Sequence, residues 1–181
     1  MSYGLTVRRA GAFNRLAEPS WPDPLDVTFS KARGGRWNAP GSYGVLYLNA
    51  TVRVARLQVA HRLAGLPYGV EDLDAAEQHD LVEVRVAALA AVDCVTDAGL
   101  GAVGLPSSYP ADRAGAPVRW AACQLVGQRA HDAATAGLAC RSAAAGATHA
   151  DEELGVFDTH TAHVAVTARV AFTDWYWGSA A

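Results

Sequence analysis

The chain has 181 residues, 51% of them hydrophobic, enough for one well-buried core, and nothing in it requires a second domain. A formal charge of -3 with scattered acids and arginines offers no clustered cationic face, which argues against nucleic acid as a direct partner. Cys94, Cys123 and Cys140 are odd in number and widely spaced, so neither a disulfide framework nor a CxxC metal knuckle is visible. The stretch from Met1 to Arg9 carries no apolar signal core, and no run approaches the roughly 18 apolar residues of a membrane span. The expectation is a cytoplasmic protein with no membrane contact and small core cysteines.

In chain order, Gly4 to Arg9 alternates and predicts a first strand, after which Pro19, Pro22 and Pro24 interrupt pairing, leaving residues 10–43 mostly loop. Inside that loop Gly34-Gly35 and Pro40-Gly41 bracket Arg36-Trp37-Asn38, holding a cation and an aromatic on a backbone that can bend sharply. Gly44 to Asn49 is a compact apolar strand, and Asn49 or Thr51 caps a helix running to about Leu63. Val52, Ala55, Val59 and Leu63 form its core stripe; at about 100° per residue, Gln58 falls at the stripe's edge with Thr51, Ala55 and Arg62, where it can border a cleft.

Leu81 to Val86 alternates as a strand, a second short strand covers Val92 to Val95, and residues 97–117 read as loop with one short helical turn. Val118 to Ala133 has helical composition, and Gly137 to Arg141 reads as a strand leading into Ser142. Asp151-Glu152-Glu153 reads as a solvated acidic turn, and Thr161 to Phe172 as a long late strand. His160 and His163 fit a partly exposed strand end better than a metal pair, and no metal is expected. The aromatic tail within 173–181, Trp175-Tyr176-Trp177, is expected to fold back on the body or form a subunit contact. Strands outnumber helices without regular alternation, which predicts a single α+β domain, 1–181, with a mixed sheet and flanking helices.

Taken together, Gly34-Gly35-Arg36-Trp37-Asn38-Ala39-Pro40-Gly41, then Val45-Leu46-Tyr47-Leu48, then the helix from Thr51, resemble the front half of the RES family, named for its Arg, Glu and Ser. Arg36 and Tyr47 match the family's Arg and Tyr; the helix position matching its Glu is Gln58. Gln124 to Gly127 followed by Gly137 to Ser142 resembles the family's later helix, strand and Ser, and Arg8 resembles a further family Arg. The resemblance covers roughly residues 5–160. It implies an ADP-ribosyltransferase-like fold and a toxin that cleaves the nicotinamide–ribose bond of NAD, with inorganic phosphate, water or a protein as acceptor. It also implies an Xre-like helix-turn-helix antitoxin and a homo-oligomer or toxin–antitoxin hetero-oligomer. The expected catalytic set is Arg36, Tyr47 and Gln58, and the expected NAD-binding set is Arg8, Arg36, Trp37, Tyr47 and Ser142, with Trp37 either stacking on the ligand or packing in the core.

These residue types suit that chemistry. Loss of nicotinamide builds positive charge on the ribose, which a fixed carboxylate stabilises. An arginine fork matches pyrophosphate oxygens, and an aromatic face accepts a flat ring. Gln58 keeps the shape of Glu without its charge, and losing one preorganised electrostatic group costs about 2.7–4 kcal/mol in the transition state. Gln58 therefore points to a natural variant with altered activity, to a deliberate Glu-to-Gln replacement in a toxic protein, or to a binding module without turnover.

Overall fold

The long hydrophobic alternation between Asp80 and Cys94 is the axis of the molecule. The computed structural model describes residues 3–178, and in it β1 (Thr6–Ala17) pairs antiparallel along most of β3 (Asp80–Cys94). β3 is therefore one strand where the sequence suggests two. β1 also outruns its expected end at Arg9, because Gly11, at φ 109°, absorbs a register shift between Arg9 and Gly11 and lets pairing resume. The rest of the expected loop contains a short helix, α1 (Thr28–Arg33).

β2 (Val45–Asn49) meets β1 at Asn14–Asn49 and lies antiparallel to β5 (Glu152–Phe157). β5 lies antiparallel to β4 (Gly137–Arg141), which runs parallel to the end of β3. The pairings β1–β2–β5–β4–β3–β1 close on themselves, and β6 (Val164–Val170) flanks the first half of β3 as an edge strand. The expected strand from Thr161 thus begins at Val164, after a 3₁₀ segment, Asp158–His163, that carries both histidines. Among the described residues no cluster of potential metal ligands forms, and no helix is long and apolar enough to cross a membrane.

Helix α2 (Val52–Leu63) starts where expected, with the Thr51 hydroxyl accepting from the Val54 N–H at 3.2 Å, and it buries Val54, Ala55 and Val59. α3 (Asp97–Val103) and α4 (Trp120–Asp132) cover one side of the sheet over a core of Trp37, Leu100, Cys123, Val126, Leu138 and Phe157. A second core, with Phe13, Leu46, Leu48, Val84 and Leu154, fills the other side. All three cysteines are buried and unpaired, as their spacing predicts. The tail forms α5 (Phe172–Tyr176), folding Trp175 against Ala55, Val59 and Leu81; residues 179–181 of the tail, and Met1 and Ser2 at the other end, lie outside the described residues. The architecture is the expected one: a single α+β domain with a six-stranded mixed sheet and flanking helices.

The acidic segment is the main departure. Asp151 to Glu153 is not a solvated turn but the entry to β5, in the middle of the sheet. Each charge finds its own partner: Asp151 accepts from Thr148 and Arg53, Glu152 from Arg9, and Glu153 from Gln58.

Candidate functional site

The loop carrying Arg36 is fixed on both sides of that residue. The Gly35 carbonyl accepts from Gln124 Nε2 at 2.9 Å, the Trp37 N–H donates to the Tyr47 hydroxyl at 3.0 Å, and the Trp37 carbonyl accepts from the Tyr43 hydroxyl at 2.6 Å. Tyr47 in turn donates to Asn38 Oδ1 at 2.9 Å, while Asn38 Nδ2 donates to the Ser30 and Tyr43 carbonyls. Close packing dictates the glycines: a Cβ on Gly35 would sit 2.5 Å from the Tyr47 hydroxyl, and one on Gly127 would collide with the Trp37 carbonyl. The loop is a rigid mount, held by β2 and α4.

Arg36 projects from this mount into a cavity. Among the described residues it forms no salt bridge and no side-chain hydrogen bond, and the Cys123 thiol lies beside it. Burial opposes its charge, but Tyr109, Cys140, Cys123 and Glu153 around it act in the other direction and hold its pKa above the ordinary value. Tyr47 is locked by its two hydrogen bonds, and burial pushes its hydroxyl well above the ordinary tyrosine range, so it is a neutral latch whose ring lines the cavity.

Across the cavity, α2 and β5 bring Gln58 and Glu153 together. Gln58 Nε2 donates to Glu153 Oε1 at 2.6 Å. Glu153 sits opposite Asn49 on β2 and Cys140 on β4, which fixes its backbone from both sides. Burial raises its pKa, although donors from Ser142 and the Ala143 backbone, the Arg36 charge and Gln58 act in the other direction.

The cavity has a volume of about 420 Å³ and is walled by Gly35, Arg36, Tyr47, Gln58, Trp120 and Glu153, with His61 and Arg62 at its rim. It shares Arg36, His61 and Trp120 with a neighbouring cavity of about 310 Å³, and Tyr47 and Arg62 with another of about 440 Å³ that Arg15 also lines. Arg15 is buried and gives one hydrogen bond to the Asp26 carbonyl at 2.7 Å, while its Nη1 finds no acceptor. Burial pushes its pKa down to about 10, still charged at neutral pH. Three arginines therefore face a row of cavities whose individual sizes match small-molecule sites.

The structure brings Arg36, Tyr47 and Gln58 to one cavity, and places Ser142 directly behind it. Ser142 is buried and accepts from the Ala144 N–H; it lies near Glu153 and favours its ionised form, but it is not among the residues that wall the cavity. Two expected residues are not in the site. Trp37 is 1% exposed, with its ring packed against Tyr109 in the core, so it is no stacking platform. Arg8 is exposed on β1 opposite Ala90, six residues from the point where β1 meets β2, about 20 Å along an extended strand. Arg15, later on the same strand, is the β1 arginine that reaches the cavities.

Glu153, Arg15 and Trp120 escaped the sequence reading. Trp120, 55% exposed at the start of α4, is the aromatic face that Trp37 does not provide. The alternation Glu153-Leu154-Gly155-Val156 was the available signal for a strand with Glu153 on one face, masked by the acidic run before it.

The RES domain family profile matches residues 7–177. No curated protein sequence matches the chain. Among solved structures, the M. tuberculosis MbcT–MbcA toxin–antitoxin complex contains a chain of similar fold, with a TM-score of 0.75 and 21% identity over 95% of this chain and 92% of that one. With the profile spanning nearly the whole domain, the chain belongs to the RES domain family.

Proposed function

We propose that this protein is the toxin of a toxin–antitoxin pair and cleaves NAD at the nicotinamide–ribose bond. The observation that carries the reading is the cavity in which an Arg36 guanidinium without an oxygen partner faces a carboxylate across a space the size of a ligand. Family membership and the toxin–antitoxin nature of the structurally similar complex support it.

In this reading Arg36, helped by Arg15 and Arg62, binds the pyrophosphate, and the faces of Tyr47 and Trp120 border the flat rings. The rigid mount of Arg36 means little reorganisation is needed when the dinucleotide arrives. As the bond between ribose C1′ and the nicotinamide nitrogen breaks, its electron pair leaves with nicotinamide, which becomes neutral. The ribose becomes oxocarbenium-like, and an oxygen of phosphate, or of water that gives up a proton to solvent, then bonds C1′. The partner would be an Xre-like helix-turn-helix antitoxin, in a hetero-oligomer in the cytoplasm, with NAD depletion as the toxic outcome.

The test is incubation with NAD, with and without inorganic phosphate, followed by mass analysis of the products. Release of nicotinamide together with ADP-ribose or its 1″-phosphate is expected; intact NAD under both conditions overturns the reading. A second reading, an NAD-binding module without turnover, is favoured by Gln58 in place of the family's Glu. It predicts calorimetric binding of NAD with no product. A mono-ADP-ribosyltransferase would share this site and show instead a mass increase on a protein acceptor.

A further inference from the structure

We propose that Glu153 on β5 supplies the charged carboxylate of this cleft and that Gln58 on α2 is its positioning partner, so the carboxylate has moved from the helix to the adjacent strand while the chemistry is retained. This rests on the NAD-cleaving reading.

The two side chains touch, with Gln58 Nε2 2.6 Å from Glu153 Oε1, and both line the cavity that Arg36 enters. A carboxylate oxygen is therefore within one hydrogen bond of the position where the family's Glu would stand. Its neighbours on the strand show that it is handled differently from an ordinary acid. Glu152 is neutralised by Arg9, with Nη2 to Oε2 at 2.8 Å, and Asp151 by Arg53, with Nε to Oδ1 at 3.1 Å. Glu153 instead receives a neutral donor, Gln58, and its charge acts across the cavity toward Arg36. A purely structural side chain here would not need the charge, since a glutamine oxygen accepts the same donor.

The amide at position 58 also has a reason. A glutamate there would bring two carboxylates to hydrogen-bond distance, and such a pair shares a proton instead of carrying two charges. Glutamine donates to Glu153 and so favours its ionised form. Because burial raises the pKa of Glu153, its ionisation lowers stability as pH rises from the ordinary carboxylate value to the raised one, and above that the loss is constant. Neutralising it should therefore not weaken the fold at neutral pH. In the reaction, the ionised Glu153 faces the cation developing at C1′ and forms no bond to it; the electron pair leaves with nicotinamide, and the acceptor oxygen closes on C1′.

Four proteins test this: the natural chain, Glu153→Gln, Gln58→Glu, and the exchange Gln58→Glu with Glu153→Gln, each assayed for nicotinamide release from NAD and for its thermal midpoint. Glu153→Gln should lower kcat by about 100- to 1000-fold. Its KM should stay within about threefold and its midpoint should not fall, a split that loss of structure does not produce. The exchange should recover at least about tenfold of the lost kcat. A Glu153→Gln protein with unchanged kcat, or a Gln58→Glu protein about tenfold faster than the natural chain, overturns the assignment of Glu153 while leaving NAD cleavage standing. If none of the four releases nicotinamide, the NAD-cleaving reading fails, and the role of Glu153 with it. Should Glu153→Gln melt early, Glu153→Asp decides: a folded protein with lowered kcat and unchanged KM supports the proposal, and unchanged kcat overturns it.

Discussion

Arg36 and Arg141 are both largely enclosed arginines, yet their surroundings are opposite. Arg141, at the end of β4, gives Nε to the Val95 carbonyl at 2.7 Å, Nη1 to the Ser107 carbonyl at 2.6 Å and Nη2 to Asp97 Oδ1 at 2.6 Å. Those bonds tie the segments on either side of α3 to the sheet. Arg36 has its backbone clamped from two sides and its guanidinium turned to a cavity. A saturated polar group reports structure, whereas a rigidly held and unsaturated one reports a ligand. Glu152 and Glu153 repeat the contrast one residue apart, on opposite faces of the same strand.

The contrast breaks down unless the two arginines respond oppositely to truncation. Arg36→Ala should lower nicotinamide release about 100- to 1000-fold, measured as kcat/KM, with little change in the melting midpoint. Arg141→Ala should instead unfold early in urea, losing about 3 kcal/mol, because buried carbonyls lose their donors. Tyr47→Phe should fall between them. It removes both bonds of the latch, so a stability loss of about 1–2 kcal/mol and a roughly tenfold lower kcat are expected. Trp120→Ala should raise KM for NAD by about tenfold without changing the urea midpoint, since the side chain is mostly exposed. Arg8→Ala should change neither activity nor stability by more than about 0.5 kcal/mol.

The parts of the site legible in sequence were those set by local rules. The Gly-bracketed Arg36, the strand bearing Tyr47, and the Thr51-capped helix presenting Gln58 at the edge of its apolar stripe follow from turn chemistry, alternation and helical period. The family resemblance joined them, and the profile match over residues 7–177 agrees. What stayed hidden depended on tertiary partners. The β5 acids look solvated because nothing nearby in sequence announces Arg9, Arg53 or Gln58 as their partners. Trp37 and Trp120 each stand beside an arginine in sequence, and only packing decides that the first is buried with Tyr109 while the second borders the cavity. Arg8 and Arg15 lie on one strand, and which of them reaches the cavities depends on β1 continuing past Gly11.

The most direct measurement is the time course of nicotinamide release from NAD by the natural chain, Arg36→Ala and Arg8→Ala, at equal concentration and neutral pH. Steady release by the natural chain and by Arg8→Ala, with near-complete loss in Arg36→Ala, is the predicted result. Release by Arg36→Ala at the natural rate, or no release from the natural chain, would contradict the account.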